Sequence, residues 1–367
     1  MLLFSVISCS QAPIEKKPVR VKKTNSSKLD TIKFFFVGDA MGHHPMIAKA
    51  WDSEKKKYNY ENWFQFFKPN LKKYDYCLLN LEVTLAGYPY EGYPRFSSPD
   101  DFAVALKNTG FNMFFTSNNH SFDRGVKGVN RTINVLDSIN VDHTGTFINS
   151  AQRDSLYPYL KEIKGYKFAF LNYTYGTELP VKTPSVVNSI DTLQIKQDIL
   201  KARKKGAQCI IAVIHWGEEY KNYENSFQRE HAQWLANNYI DAVVGMHPHV
   251  VQPMKIFYSK NKKRVPVAFS LGNFVSRHAR KQNIGIGIEL SFVFDKEQFK
   301  WNNWGYTPIW TDELFSPKGH FPLYGTLMDD ICNEKTKWSL NSNKKKLLNT
   351  FTDKTRNHLK EIPEIKW

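Results

Sequence analysis

The amino-acid sequence predicts a mixed α/β fold, built as a four-layer α/β/β/α sandwich within one domain. Three observations lead there. Apolar runs of strand length alternate with segments that carry apolar residues at helical spacing. The early runs each end on a short polar signature, as strands do in open α/β sheets whose sites gather beyond the carboxyl ends. Later runs follow one another without long helices between them, which points to antiparallel pairing and a second sheet packed on the first.

The elements fall in order. Ile32 to Val37 reads as a buried strand running into Gly38-Asp39. The same grammar recurs at Tyr76 to Leu79 before Asn80, at Met113 to Phe115 before Asn118, at Ile210 to Ile214 before His215, and at Ala242 to Val244 before Gly245. Pro99 to Thr109, Val126 to Ile139, Ile195 to Lys205 and Phe227 to Asn238 have helical spacing. Lys167 to Leu171, Val265 to Ser270 and Ile286 to Phe294 are the strands not separated by long helices. Residues 31–325 form the expected domain, and 326–367 an expected helical extension.

A chain of 367 residues can bury a core without disulfide staples, and 41% hydrophobic with 14% aromatic content fits a globular protein. Cys77 and Cys209 sit inside apolar runs and are expected to be buried free thiols. Cys332 has no partner suggested by spacing, and no Cys-x-x-Cys pair is present. Cys9 differs, because Val6-Ile7-Ser8-Cys9-Ser10 after an apolar start resembles a bacterial lipobox; residues 1–9 are therefore expected to be a partial lipoprotein signal and Cys9 a lipidation site that tethers the protein to a membrane. Neither Lys nor Arg precedes that short apolar run. Residues 10–30, rich in Lys, Pro and Ser, read as a disordered linker.

The net charge of +16 favours polyanions as partners. Its clusters, at Lys201 to Lys205, Lys260 to Arg264 and Lys344 to Lys346, fall on a helix, a hairpin loop and a C-terminal helix, where solvated lysines are the ordinary explanation. With no nucleic-acid reading module beside them, nucleic acid is not an expected partner.

Five polar signatures together read as one metal site: Gly38-Asp39-Ala40-Met41-Gly42-His43, Asn80-Leu81-Glu82, Asn118-Asn119-His120, His215-Trp216-Gly217 and Gly245-Met246-His247-Pro248-His249. Asp, Glu, Asn and neutral His are ligands that Zn, Mn or Fe accept. Singly, each has an ordinary structural reading: Asp39 as a helix cap, Asn80 as a loop brace, His215 as a core histidine.

With Asn118 to Gly125, His215 to Tyr220, Gly245 to Gln252 and Ser270 to Phe274 included, this motif set resembles the CapA family of capsule (poly-γ-glutamate) synthesis proteins, a branch of the calcineurin-like metallophosphoesterase superfamily, over about residues 32–295. The resemblance implies the four-layer sandwich, one or two divalent metals (Mn, Fe or Zn) and hydrolysis by a metal-activated water. Carried over by position, Asp39 and His249 would bind the first metal, Asn119, His215 and His247 the second, and Glu82 would bridge them. His120 would be general acid or hydrogen-bond donor, oriented by Asp123. Two metals roughly 3.5 to 4 Å apart steady both attacking and leaving oxygens.

Departures from the superfamily pattern are local. Met41 stands where a His is usual, which leaves His43 or His44 as replacement ligand, His43 being preferred, and Glu82 is one methylene longer than the usual bridging Asp. Because imidazoles must be neutral to ligate, occupancy is expected to fall as pH drops through about 6.5. For substrate, the aromatic loop Tyr88 to Phe96 with Arg95, the loop beginning at Tyr173, and Arg124, Arg277 and His278 are candidates for holding an anion.

Three functions fit these residues. One is a metal-dependent hydrolase of the bacterial cell envelope, acting on a phosphoester or on an amide of an anionic polymer. Another is a non-catalytic capsule assembly or export component that binds a polyanion. The third is a module that docks on other envelope proteins through the Lys-rich C-terminal region, with capsule-assembly proteins among the expected partners.

Overall fold

Strand β1 (Thr31–Ala40) buries residues on both faces, and its alternation sets the architecture. Phe34 and Phe36 point into a core shared by two sheets, where they meet Phe168, Phe170, Ile211 and Val244. Phe35 and Val37 point the other way, into a core with Phe102, Leu106 and Leu136 of the covering helices. The second sheet alternates likewise: Ala169, Leu171, Ile210 and Ala212 face away from the first sheet and pack on Ile195, Ile199, Leu235 and Ala236. Three apolar interfaces between four layers give the α/β/β/α sandwich.

This computed structural model describes residues 31–277, 284–295, 298–310, 315–316, 319–320, 326–327 and 342–365. The expected signal, Cys9 and linker, and also His278 and Cys332, lie outside the described residues.

The first sheet contains β1, β2 (Tyr76–Leu81), β3 (Met113–Phe115) and β4 (Asp142–Thr144) in parallel succession. The second contains β5 (Tyr159–Ile163), β6 (Tyr166–Thr174), β7 (Cys209–His215), β8 (Ala242–Met246), β9 (Met254–Tyr258) and β10 (Arg264–Ala268). Its order is β9-β10-β8-β7-β6-β5, parallel at the centre and antiparallel at both edges. On the far side of β1, the first sheet continues through β11 (Asn273–Val275), β12 (Ile284–Asp295), β13 (Gln298–Trp310) and β14 (Thr326–Leu327).

β1 changes neighbour along its length: Thr31 to Val37 pair antiparallel with β12, and Asp39 and Ala40 pair parallel with β11. Gly38 is the junction. A Cβ there would lie 1.8 Å from the Gly272 carbonyl oxygen, so only glycine lets the two backbones approach this closely.

The spacing read from sequence does not include helix α1 (His44–Ala50) or the short helices Lys68–Leu71 and Ser150–Leu156; α2 (Asp100–Thr109), α3 (Gly125–Ser138), α4 (Thr192–Lys204) and α5 (Ser226–Asn237) match it. Asp191 caps α4 through the amides of Leu193 and Gln194, and Asn225 with Gln228 forms a capping box on α5. Helix α6 (Ser342–His358) is more than peripheral, since Leu348 and the following Leu359 are buried in the core between the sheets. Cys77 and Cys209 are free and buried, and burial pushes the Cys77 thiol up to about 12.

Candidate metal centre

The parallel strands of both sheets end at one edge of the sandwich, and their last residues turn toward each other. Asp39 closes β1, Glu82 follows β2, Asn118 to His120 follow β3, His215 ends β7, and His247 and His249 follow β8. Asp39, Glu82, Asn119, His120, His215, His247 and His249 are all buried.

Ligand atoms within 4.8 Å of one another define two inner groups: Asp39 with Glu82 and His249, and Glu82 with His215 and His247. Glu82 belongs to both. Its Oε1 lies 3.6 Å from His215 Nε2 and 3.7 Å from His249 Nε2, and His249 Nδ1 lies 3.2 Å from Asp39 Oδ2. Asn119 places its Oδ1 2.9 Å from His215 Nε2, while its Nδ2 donates to Glu178.

Asn80 holds the acids in place. Its Nδ2 donates to Asp39 Oδ1 at 2.8 Å and to Glu82 Oε2 at 3.2 Å, and its Oδ1 accepts from Asn118 Nδ2. The parallel register explains this, since Asp39 and Asn80 are paired residues of β1 and β2. On the other side, Asn273 Oδ1 lies 3.0 Å from His249 Nδ1. His247 and His249 have φ of 98° and 56°, a left-handed conformation that costs energy in residues with a Cβ. The amide of Tyr220 donates to the intervening Pro248 carbonyl and braces that turn.

Electrostatics suit a cation. Burial, and then the neighbouring Asp39, push the Glu82 carboxyl well above the usual range. Burial, then His247 and His249, push His215 well below its usual value, and burial with His249 takes His247 down to about 3. Glu82 Oε1 and His247 Nδ1 are buried without a hydrogen-bond partner. Neutral imidazoles, crowded carboxylates and orphaned acceptors are the donor set that a divalent ion satisfies. Burial thus favours the neutral form of His215 and His247, which is the form that ligates, and favours the protonated form of Glu82, so a proton on Glu82 would compete with a cation.

His120 Nδ1 lies 2.9 Å from Asp123 Oδ2, which also accepts from the Phe96 amide at 2.8 Å. The pair is fixed beside the metal-capable groups, with the Phe96 ring 4.6 Å from the His120 ring. Burial raises the Asp123 carboxyl despite its hydrogen bond from His120.

Three expected site residues are engaged with other partners. His43 joins none of the three candidate ligand groups among the described residues; as the residue before α1 it turns its ring to Phe96, 5.2 Å away, with Nε2 3.1 Å from Ser276 Oγ. Tyr173 is fully buried under α4 and donates to Asp198 at 2.8 Å, because strand alternation sends it into the outer core. Tyr175 stands by the site instead, its ring 4.7 Å from that of His247. The Arg124 guanidinium is paired with Glu91 at 2.6 Å and ties down the aromatic loop. Arg95 is exposed on that loop. Asn80, Asn273, Tyr175 and Glu219 were overlooked as site residues although each lies inside a quoted motif or the Tyr173 loop; membership in those runs was the available signal.

A two-sheet sandwich with acids on one set of strand ends and imidazoles on the other defines an α/β protein with a candidate metal centre. The chain belongs to the family described as bacterial capsule synthesis protein PGA_cap, whose family model matches residues 33–278. It is 26% identical over 259 residues to the PGA biosynthesis protein CapA of Bacillus subtilis (strain 168), covering 67% of this chain and 63% of that protein. It is 29% identical over 232 residues to the capsule biosynthesis protein CapA of Bacillus anthracis, covering 60% of this chain and 54% of that one. The match thus spans less than two thirds of either relative's length. Among solved structures, a phosphatase from Mycoplasma pneumoniae aligns with a TM-score of 0.47 and 16% identity over 77% of this chain and 95% of that one. The calcineurin-like phosphoesterase YfkN from Bacillus subtilis aligns with a TM-score of 0.43 and 14% identity, over 77% and 91% of the two chains.

Proposed function

We propose that this chain is a metal-dependent hydrolase of the bacterial cell envelope that cleaves a phosphoester or an amide bond during synthesis of an anionic capsule polymer, poly-γ-glutamate or a related polyanion. One observation carries the reading: two ligand groups share the buried Glu82, whose Oε1 has no hydrogen-bond partner. In this reading Asp39, Glu82 and His249 hold one cation and Glu82, Asn119, His215 and His247 a second. A divalent ion there supplies Lewis-acid polarisation and a nucleophile at neutral pH. His120, oriented by Asp123, delivers a proton to the leaving group through Nε2. Arg95 and the exposed tyrosines of its loop draw the polymer to the mouth. Among the described residues no helix is long and apolar enough to cross a membrane, and attachment is assigned to a lipid on Cys9.

The net charge of +16 favours a second reading, in which the sandwich binds a polyanion without turnover. Metal analysis of protein purified without chelators, followed by a screen of phosphoesters and γ-glutamyl polymers, separates the two. Stoichiometric metal with turnover that vanishes in Glu82→Ala is the expected result. Polymer binding that survives this substitution with no hydrolysis in the parent protein would select the second reading.

A further inference from the structure

Past His215 the chain makes a turn at Gly217, whose φ is 94°, and exposes two consecutive carboxylates. They are in different surroundings. Glu218 Oε1 accepts from Asn225 Nδ2 at 3.3 Å, at the start of α5. Glu219 makes no hydrogen bond or ion pair among the described residues, yet one of its oxygens groups with ring nitrogens of His247 and His249, all within 4.8 Å of one another. Its charge also reaches the Glu82 carboxyl in the interior. His247 is only 4% exposed, and its Nδ1 is buried without a partner.

His247 and His249 therefore belong at once to this outer group and to the inner groups built on Glu82. A neutral imidazole has one nitrogen lone pair to give. The same ring cannot serve an outer and an inner cation together, so occupation of the two levels is alternative. A solvent-exposed carboxylate on a turn, backed by two buried imidazoles, is suited to take a hydrated cation and exchange its water for nitrogen ligands.

Resting on the metal-centre reading above, we propose that Glu219, His247 and His249 form an outer divalent-cation position at the mouth, from which the ion passes inward to the Glu82 groups. Glu219 is a loading ligand and is absent from the final coordination. The chemistry suits a borderline divalent ion such as Mn2+, Fe2+ or Zn2+, which accepts mixed carboxylate and imidazole donors.

The test mixes chelator-stripped full-length chain rapidly with Mn2+ and follows loss of the free-ion EPR signal, with the final metal content measured after dialysis. Glu219→Gln should load roughly tenfold more slowly than the parent, by loss of the steering charge and ligand, and reach the same final content. Glu218→Gln should load at the parental rate. Parental loading by Glu219→Gln overturns the inference, as does equal slowing in both variants, which would mean a diffuse charge effect. A lower final content in Glu219→Gln also overturns it, because Glu219 would then be a resident ligand. Should the parent chain take up no Mn2+, the metal-centre reading itself falls, an outcome distinct from any of these.

Discussion

The two sheets bring different chemistry to the same edge. Strands of the first end in Asp39, Asn80, Glu82 and Asn118, which are acids and amides; strands of the second end in His215, His247 and His249. Burial favours the uncharged form in both sets, with opposite proton consequences: Glu82 is pushed toward holding a proton, and His215 and His247 toward losing one. A cation would reverse the first effect and exploit the second. The first side brings the compensating charge and the second the imidazole donors, and both inner groups draw on each.

The largest break in this comparison is Glu82→Ala, which removes the residue common to both inner groups. Metal affinity should fall by at least about 100-fold, read by equilibrium dialysis, while the melting temperature holds within a few degrees. Full metal retention would refute the shared role. Asn80→Ala leaves every ligand in place but frees Asp39 and Glu82 to turn, and should weaken binding by about 10-fold. A smaller effect than for its neighbour Glu82 is the point of the pair.

Acid sharpens the comparison next. Glu82, raised, binds its proton more tightly than an ordinary glutamate, so affinity should fall as pH drops through that raised value; His247 stays unprotonated down to about 3 and adds no competition above it. Calorimetry in buffers of different ionisation heat should show proton release on cation binding that grows as pH is lowered and is lost in Glu82→Gln. Proton release unchanged in Glu82→Gln would contradict the burial argument. The smallest effect belongs to Tyr173→Phe, which should cost about 1.5 kcal/mol in chemical unfolding through loss of its bond to Asp198, with metal content unchanged.

Much of the centre was readable because ligands at strand ends leave a local trace. An apolar run followed at once by Asp39, by Glu82 or by His215 carries its own address, and α2, α3, α4 and α5 followed from spacing, whereas the short helix Ser150–Leu156 did not. What escaped depends on which way a side chain turns after its strand. Tyr173 and Tyr175 look equivalent in sequence, yet one is locked under α4 and the other faces the imidazoles. His43 is similar: it has the right chemistry and the right neighbourhood, and the start of α1 rotates it toward Ser276. Asn80 has no distinguishing chemistry of its own, and its three-way hydrogen bonding exists only once β1 and β2 are paired.

The junction at Gly38 offers a handle on all of this. Any methyl group at that position would act as a wedge against the Gly272 carbonyl, prising Asp39 from the turn that carries Asn273. Because Phe34 to Phe36 remain clamped between β2 and β12 upstream, the disturbance would be confined to the end of the strand. Alanine at 38 would thus uncouple the acid ligand from a scaffold that still folds, a hinge-pin removed without dismantling the door.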